Sequence, residues 1–209
     1  PSENSEFELI KELETHLLNE SPLREFNMTE EQKKLLSGFA FLTLKPELIV
    51  LNLDDTQTGD VPEIKELEKE MSKKNLTCVK VYGSTEMELE QLDPQDREEF
   101  MKDLSITEPG RDRLIHEAYK LLGLISFFTS GSDEVRAWTL KEGSNAVDAA
   151  GTIHSDLARG FIRAQVVSYE DFEANNYSIA QCREKGVLRL EGKEYIVKDG
   201  DMIEIRFNV

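Results

Sequence analysis

The sequence predicts a mixed fold, α/β up to about residue 123 and α+β from residue 124 to its end. Three observations predict it. A helical apolar repeat opens the chain, two short β-branched apolar runs then flank one helix, and closely spaced strands around a short helix finish it. At 209 residues the chain is long enough for one large domain or two small ones. Its apolar fraction of 39% is low and its charged fraction of 32% high, yet the apolar residues recur in register, so a folded protein with long exposed helices is expected.

Leu9, Ile10, Leu13, Leu17 and Leu18 recur at helical spacing, which predicts an amphipathic helix over residues 5–19. After Ser21-Pro22, Thr29 and Gln32 form a capping-box pattern ahead of a second helix carrying Leu35, Leu36, Phe39 and Phe41. No comparable helix precedes the first, and the sequence begins at Pro1 without Met, so its start is expected to be a cut end. After Pro46, the stretch Glu-Leu-Ile-Val-Leu-Asn-Leu, with its short β-branched apolar run, reads as a buried parallel strand. A helix opening at Pro62 and a strand at 77–81 complete half of a doubly wound sheet. Asp93-Pro94 caps a further helix to Leu104, and another follows Gly110.

From residue 124 the grammar changes. Strands are expected at 125–129 and 135–140 with Gly131 in the turn between them, then a helix at 146–154 and a strand at 161–168. An irregular stretch is expected to residue 185, then hairpin-linked strands at 187–190 and 194–197 and a last strand at 202–207. A sheet cradling one helix in this order describes a β-grasp.

Composition excludes several function classes. No apolar run approaches the roughly 20 residues of a membrane span, and the first residues lack the basic and apolar parts of a signal peptide. Cys78 and Cys182 stand far apart without Cys-x-x-Cys or Cys/His spacing, which predicts free thiols, no metal site and a cytoplasmic location. A net charge of -17 repels a phosphate backbone at long range. The charge is uneven: residues 1–129 hold 28 acids against 15 bases, and residues 130–209 hold 14 against 10. Any nucleic-acid contact is therefore expected in the last third.

Four stretches carry a family resemblance. Glu134-Val-Arg-Ala-Trp-Thr-Leu, Ala149-Ala-Gly-Thr-Ile-His-Ser-Asp156, Arg159-Gly-Phe-Ile-Arg-Ala-Gln-Val-Val and the ending from Leu190 to Val209 together resemble the TGS domain of the YchF (Obg-like ATPase) family. The resemblance covers about eighty residues in unbroken order. Upstream, Leu42-Thr-Leu-Lys-Pro46 followed by a strand and Asn52-Leu-Asp-Asp55 looks like that family's base-recognition element, usually Asn-x-x-Glu, with Asp55 one methylene shorter. Typical GTPases carry Asn-Lys-x-Asp there, and the family's departure from it implies adenine. An Asn amide can accept from the exocyclic amine of adenine and donate to the adjacent ring nitrogen.

The resemblance implies three parts: residues 1–45 as a remnant of a helical coiled-coil insertion, 46–123 as the end of a P-loop nucleotide-binding domain, and 124–209 as the TGS domain. It implies that Asn52, the backbone of Leu53, Asp55 and a base-closing loop at Gly83 and Ser84 line an adenine-nucleotide pocket. ATP and Mg2+ are implied for the complete protein, with ribosome or RNA as partner and Arg136, Arg159, Arg163 and Arg206 as candidate phosphate contacts on one sheet face. The phosphate-binding Gly-x-x-x-x-Gly-Lys-Ser/Thr loop is absent from these 209 residues, so no catalytic residue is expected and the chain alone should neither hydrolyse ATP nor hold it tightly. The alternative is a non-enzymatic module binding RNA, a protein or a small ligand. His154 reads as a capping or packing residue at a helix end, and Trp138 as sheet packing in preference to base stacking.

Overall fold

The computed structural model describes residues 3–54, 61–74, 76–104, 106–131 and 134–208. The chain divides into two compact units, Pro1–Leu114 and Ile115–Val209.

In the first unit, α1 (Glu3–Leu18) buries Leu9 and Leu13 against Leu23, Met28 and Leu36. The Thr29 side chain accepts from the Gln32 amide and the Gln32 side chain accepts from the Thr29 amide, the reciprocal box that starts α2 (Glu30–Leu36). This helix is shorter than its apolar residues predict. It tightens into a 3-10 turn over Ser37–Phe39 and stops where Ala40 turns left-handed at φ 51, because Ser37 and Gly38 are poor helix formers. Phe39 and Phe41 stack across that break, with ring centroids 5.4 Å apart.

The predicted parallel pair is present. β1 (Leu48–Asn52) and β2 (Thr77–Val81) run in register from Leu48↔Thr77 to Asn52↔Val81, linked through α3 (Pro62–Lys73). The pair is less buried than an interior parallel strand should be: only Val79 is fully buried and Val50 is 43% exposed. Two strands cannot cover both of their own faces. Next come α4 (Gly83–Gln91), α5 (Pro94–Asp103), whose Asp93 cap accepts from the Gln95 and Asp96 amides at 3.0 Å each, and α6 (Gly110–Leu121). The expected loop at Gly83 and Ser84 is instead the first turn of α4. Thr85 and Leu89, one turn apart, bury the face that stabilises it.

In the second unit, β3 (Leu124–Ser130) and β4 (Val135–Lys141) form a hairpin that pairs Phe127 with Trp138, and the Trp138 Nε1–H donates to Thr129 Oγ1 at 2.9 Å. Asn145 caps α7 (Ala146–Ile153) in a box with Asp148, and the His154 ring accepts from the Asp156 amide to start α8 (Ser155–Arg159). Then follow β5 (Phe161–Ser168), α9 (Tyr169–Ala174), α10 (Ile179–Glu184), β6 (Arg189–Glu191) and β7 (Asp201–Phe207). The strand order is β4-β3-β7-β5-β6, with β3 and β7 parallel at the centre. Ala146, Ala149 and Ala150 let α7 lie close on Phe127, Ala164, Val166 and Ile203.

Two expectations fail here. The stretch expected to be irregular contains α9 and α10, capped by Ser168 and Ser178, and they bury Phe172 and Cys182 against Val167 and Met202 on the other sheet face. Six-residue helices are too short to show a period. The expected hairpin between 187–190 and 194–197 does not form: β6 pairs with β5, and Ile196 makes one isolated bridge to Asn145. The Tyr195 carbonyl accepts from Ala146 and the Val197 amide donates to Ser144, so this segment braces the start of α7. Gly160 is required by close approach. The Asn208 amide donates to its carbonyl at 2.9 Å, and a Cβ there would lie 2.3 Å from the Asn208 carbonyl oxygen. Cys182 is buried and Cys78 half-buried; both are free, and burial pushes both thiols up.

Two tyrosines in this unit carry a pH dependence. Burial, followed by its hydrogen bond to Asp201, pushes Tyr195 up to about 12, and the hydrogen bonds of Tyr177 to Glu173 and Tyr169 push that phenol up to about 12 as well. An unfolded tyrosine releases its proton near 10, so between those values the unfolded chain holds fewer protons than the folded one. The stabilisation is complete below pH 10 and is lost as pH rises through 12. Urea midpoints followed by Trp138 fluorescence, at about pH 9 and about pH 11, should show a smaller loss for Tyr195→Phe than for the unaltered chain. Equal losses would exclude Tyr195 as a source of the dependence.

Candidate functional site

β1 ends on Asn52 and β2 ends on Val81, and the Leu53 amide extends the ladder by donating to the Val81 carbonyl at 2.8 Å. Just past Tyr82, the Gly83 N–H donates to Asn52 Oδ1 at 3.2 Å. The contact orients the carboxamide, with its oxygen toward α4 and its Nδ2 remaining as a donor. A Cβ on Gly83 would stand 2.9 Å from that oxygen, so glycine keeps the approach open. Asn52 and Ser84 are exposed, and Leu53 and Gly83 are half-buried. Asp55 lies outside the described residues.

The same strand end is braced from behind. Glu86 on α4 accepts from the Gly110 amide at 2.5 Å, which caps α6, and Arg113 on α6 donates to the Lys80 carbonyl of β2. These partners are 24 and 33 residues apart in sequence, so no local pattern announces them. Together they hold the first turn of α4 beside Asn52, at the carboxyl ends of parallel strands, where open α/β sheets take ligands. Nδ2 can donate to a ring nitrogen there, and Oδ1 keeps a second lone pair.

The four candidate arginines separate. Arg136 lies on β4 on the same face as Trp138 and Leu140, with its guanidinium 4.2 Å from the Trp138 ring centroid. Arg159 closes α8 and pairs with Asp156 at 3.2 Å. Arg163 and Arg206 stand directly opposite each other on β5 and β7. Their neighbours Ala164 and Ile205 face the α7 core, so this pair projects from the other sheet face. The four therefore do not share a face: packing beside Trp138 sets the direction of Arg136, and strand alternation sets that of the pair. Among the described residues no group of three or more His, Cys, Asp and Glu is placed to hold a metal ion, and no helix is long and apolar enough to cross a membrane.

These features define a mixed α/β protein of two units, one ending a parallel strand pair in an oriented carboxamide and the other a five-stranded mixed sheet with helices on both faces. The family model YchF-GTPase_C, described as "Protein of unknown function (DUF933)", matches residues 124–208. Ribosome-binding ATPase YchF of Bacillus subtilis (strain 168) is 42% identical over 207 residues, 98% of this chain and 56% of that protein. The protein of that name from Escherichia coli O157:H7 is 39% identical over 206 residues, again 56% of its length. A solved structure of the Schizosaccharomyces pombe YchF GTPase superposes with a TM-score of 0.82 at 25% identity, over 97% of this chain and 55% of that one. A GTP binding protein from Pyrococcus horikoshii OT3, at 17% identity and a TM-score of 0.56, shares the fold. The chain belongs to the YchF family, and it spans a little over half the length of the relatives it matches.

Proposed function

We propose that this chain supplies the base-reading end of an adenine-nucleotide site and a β-grasp module that couples nucleotide state to ribosome or RNA binding in the cytoplasm. In this reading residues 1–45 belong to a helical insertion, 46–123 to the end of a P-loop sheet, and 124–209 form a TGS domain. The observation that carries it is the Asn52 carboxamide, held by Gly83 at the carboxyl ends of β1 and β2 with a donor to spare. Asn52 reads the base, with Leu53, Gly83 and Ser84 beside it. No Gly-x-x-x-x-Gly-Lys-Ser/Thr loop occurs in these 209 residues, so in this reading a phosphate loop outside them holds the phosphates and Mg2+ in the complete protein. Such a loop and its metal supply the hydrolytic chemistry when nucleotide is bound.

The relatives' names divide between ATPase in Bacillus subtilis and GTPase in Schizosaccharomyces pombe, so base preference is the point to test. In a full-length protein containing this sequence, calorimetric titration should show ATP bound more tightly than GTP. Asn52→Ala should weaken ATP binding about tenfold, the worth of one well-placed hydrogen bond. Equal affinity for the two nucleotides would reject the adenine reading. Ribosome co-sedimentation with and without ATP tests the coupling, and identical binding would count against it. A second reading is a non-enzymatic module that binds RNA, a protein or a small ligand, and ribosome binding indifferent to nucleotide would favour it.

A further inference from the structure

Arg163 and Arg206 combine three features. They are direct cross-strand neighbours, an arrangement in which two like charges repel. Both are exposed, and neither has an ion-pair partner among the described residues, although the chain holds 42 acids to its 25 Lys and Arg. Arg159 and Arg189 on the same unit are both paired, to Asp156 and to Glu191 and Asp201. The third feature is room: a Cβ on Gly192 would stand 3.0 Å from Arg163 Nη1, so the bare glycine leaves the guanidinium its place beside β6.

The rest of this face defines the strip. Phe172 and Cys182 of α9 and α10 cover Val167 and Met202 toward the other end of the strands, and the arginine end remains open. Gln165 and Glu204 form the next cross-strand pair on the face, and Leu190, opposite Gln165 on β6, is 58% exposed. Glu204 is the same-face acid nearest the pair along β7.

We propose that Arg163 and Arg206 form a two-pronged contact for an RNA backbone phosphate, and that Arg136 and Arg159 take no part in it. This rests on the reading of the second unit as an RNA- or ribosome-engaging module. Two planar guanidinia side by side present parallel N–H donors to one phosphate group and concentrate two positive charges on a surface otherwise repelled by polyanions. Bound phosphate relieves the cross-strand repulsion. Arg136 is committed to the Trp138 ring and Arg159 to Asp156. Glu204 weakens the contact by facing the same anion.

The test is fluorescence anisotropy of a labelled oligouridylate with the full 209-residue chain at low and rising salt, with labelled polyglutamate as a second probe. The paired substitution R163Q/R206Q should lower oligouridylate affinity at least tenfold and flatten the slope of log affinity against log salt by about 0.7, the value for one single-strand phosphate contact. Arg159→Gln should leave affinity and slope nearly unchanged. Glu204→Gln should tighten binding, an opposite sign that a folding defect cannot imitate, and unchanged Trp138 fluorescence confirms the fold of each variant. Binding that survives R163Q/R206Q overturns this inference alone. Equal or tighter binding of polyglutamate overturns the phosphate assignment in favour of an acidic protein partner. No oligouridylate binding by the unaltered chain at low salt overturns both the inference and the reading beneath it.

Discussion

Replacing Asp201 by Ala should lower the stability of the second unit by about 3 kcal/mol, because two hydrogen bonds to a buried charge are lost and their donors are left behind. Asp201 is 2% exposed. Its Oδ2 accepts from the Tyr195 hydroxyl at 2.8 Å and from the Lys198 amide at 2.9 Å, and its Oδ1 faces Arg189 Nη2 at 3.5 Å. Arg189 in turn donates to the Tyr195 oxygen at 3.1 Å. The carboxylate thus joins the turn before β7, the segment after β6 and the start of the central strand. Asp201→Asn keeps the shape and one acceptor, so it should cost about 1 kcal/mol. Trp138 is the sole tryptophan and lies in this unit, so its fluorescence in urea reads the change as a shifted midpoint with an unchanged slope. An Ala variant within about 0.5 kcal/mol of the unaltered chain would show that desolvation of the carboxylate cancels its bonds.

Phe127→Ala should cost more, about 4 kcal/mol, through lost burial and the cavity left behind. Phe127 is fully buried, sits opposite Trp138 and packs with Ala146, Ala149 and Ala150 of α7. Those three alanines cannot lengthen to fill the space, and α7 is fixed by its Asn145 cap and by the Tyr195 carbonyl, so collapse is limited. The same urea experiment measures it. A cost under about 1.5 kcal/mol would mean that α7 settles onto the sheet and that its anchorage is weaker than described.

How much of this was legible in the sequence depended on the range of the cause. Thr29 with Gln32, Asp93 with Pro94, and the strands at 77–81 and 161–168 were readable because their signals lie within a few residues of their effects. Asn52 was legible as a candidate because its context is a contiguous motif, but its orientation by Gly83, 31 residues on, was not. The two six-residue helices over Tyr169–Ala174 and Ile179–Glu184 escaped because their stability comes from Phe172 and Cys182 meeting Val167 and Met202, not from a repeat. The second strand of the expected hairpin failed for the converse reason. Its pattern is locally strand-like, but its backbone groups are taken by Ser144 and Ala146.

The arginines show the division most plainly. Composition alone located the least acidic third of the chain, and motif order alone marked Arg136, Arg159, Arg163 and Arg206. Only the register of β5 on β7 brought Arg163 and Arg206 together, and only the packing beside Trp138 and Asp156 removed the other two. Sequence by itself determined the starts of α2, α3, α5, α6 and α7, most strands and the family, because propensity, capping and motif order act between near neighbours. Tertiary structure decided the partners of Asn52, Asp201 and the arginine pair, because hydrogen bonds and charge contacts across strands depend on which distant segments the hydrophobic core has already brought within reach.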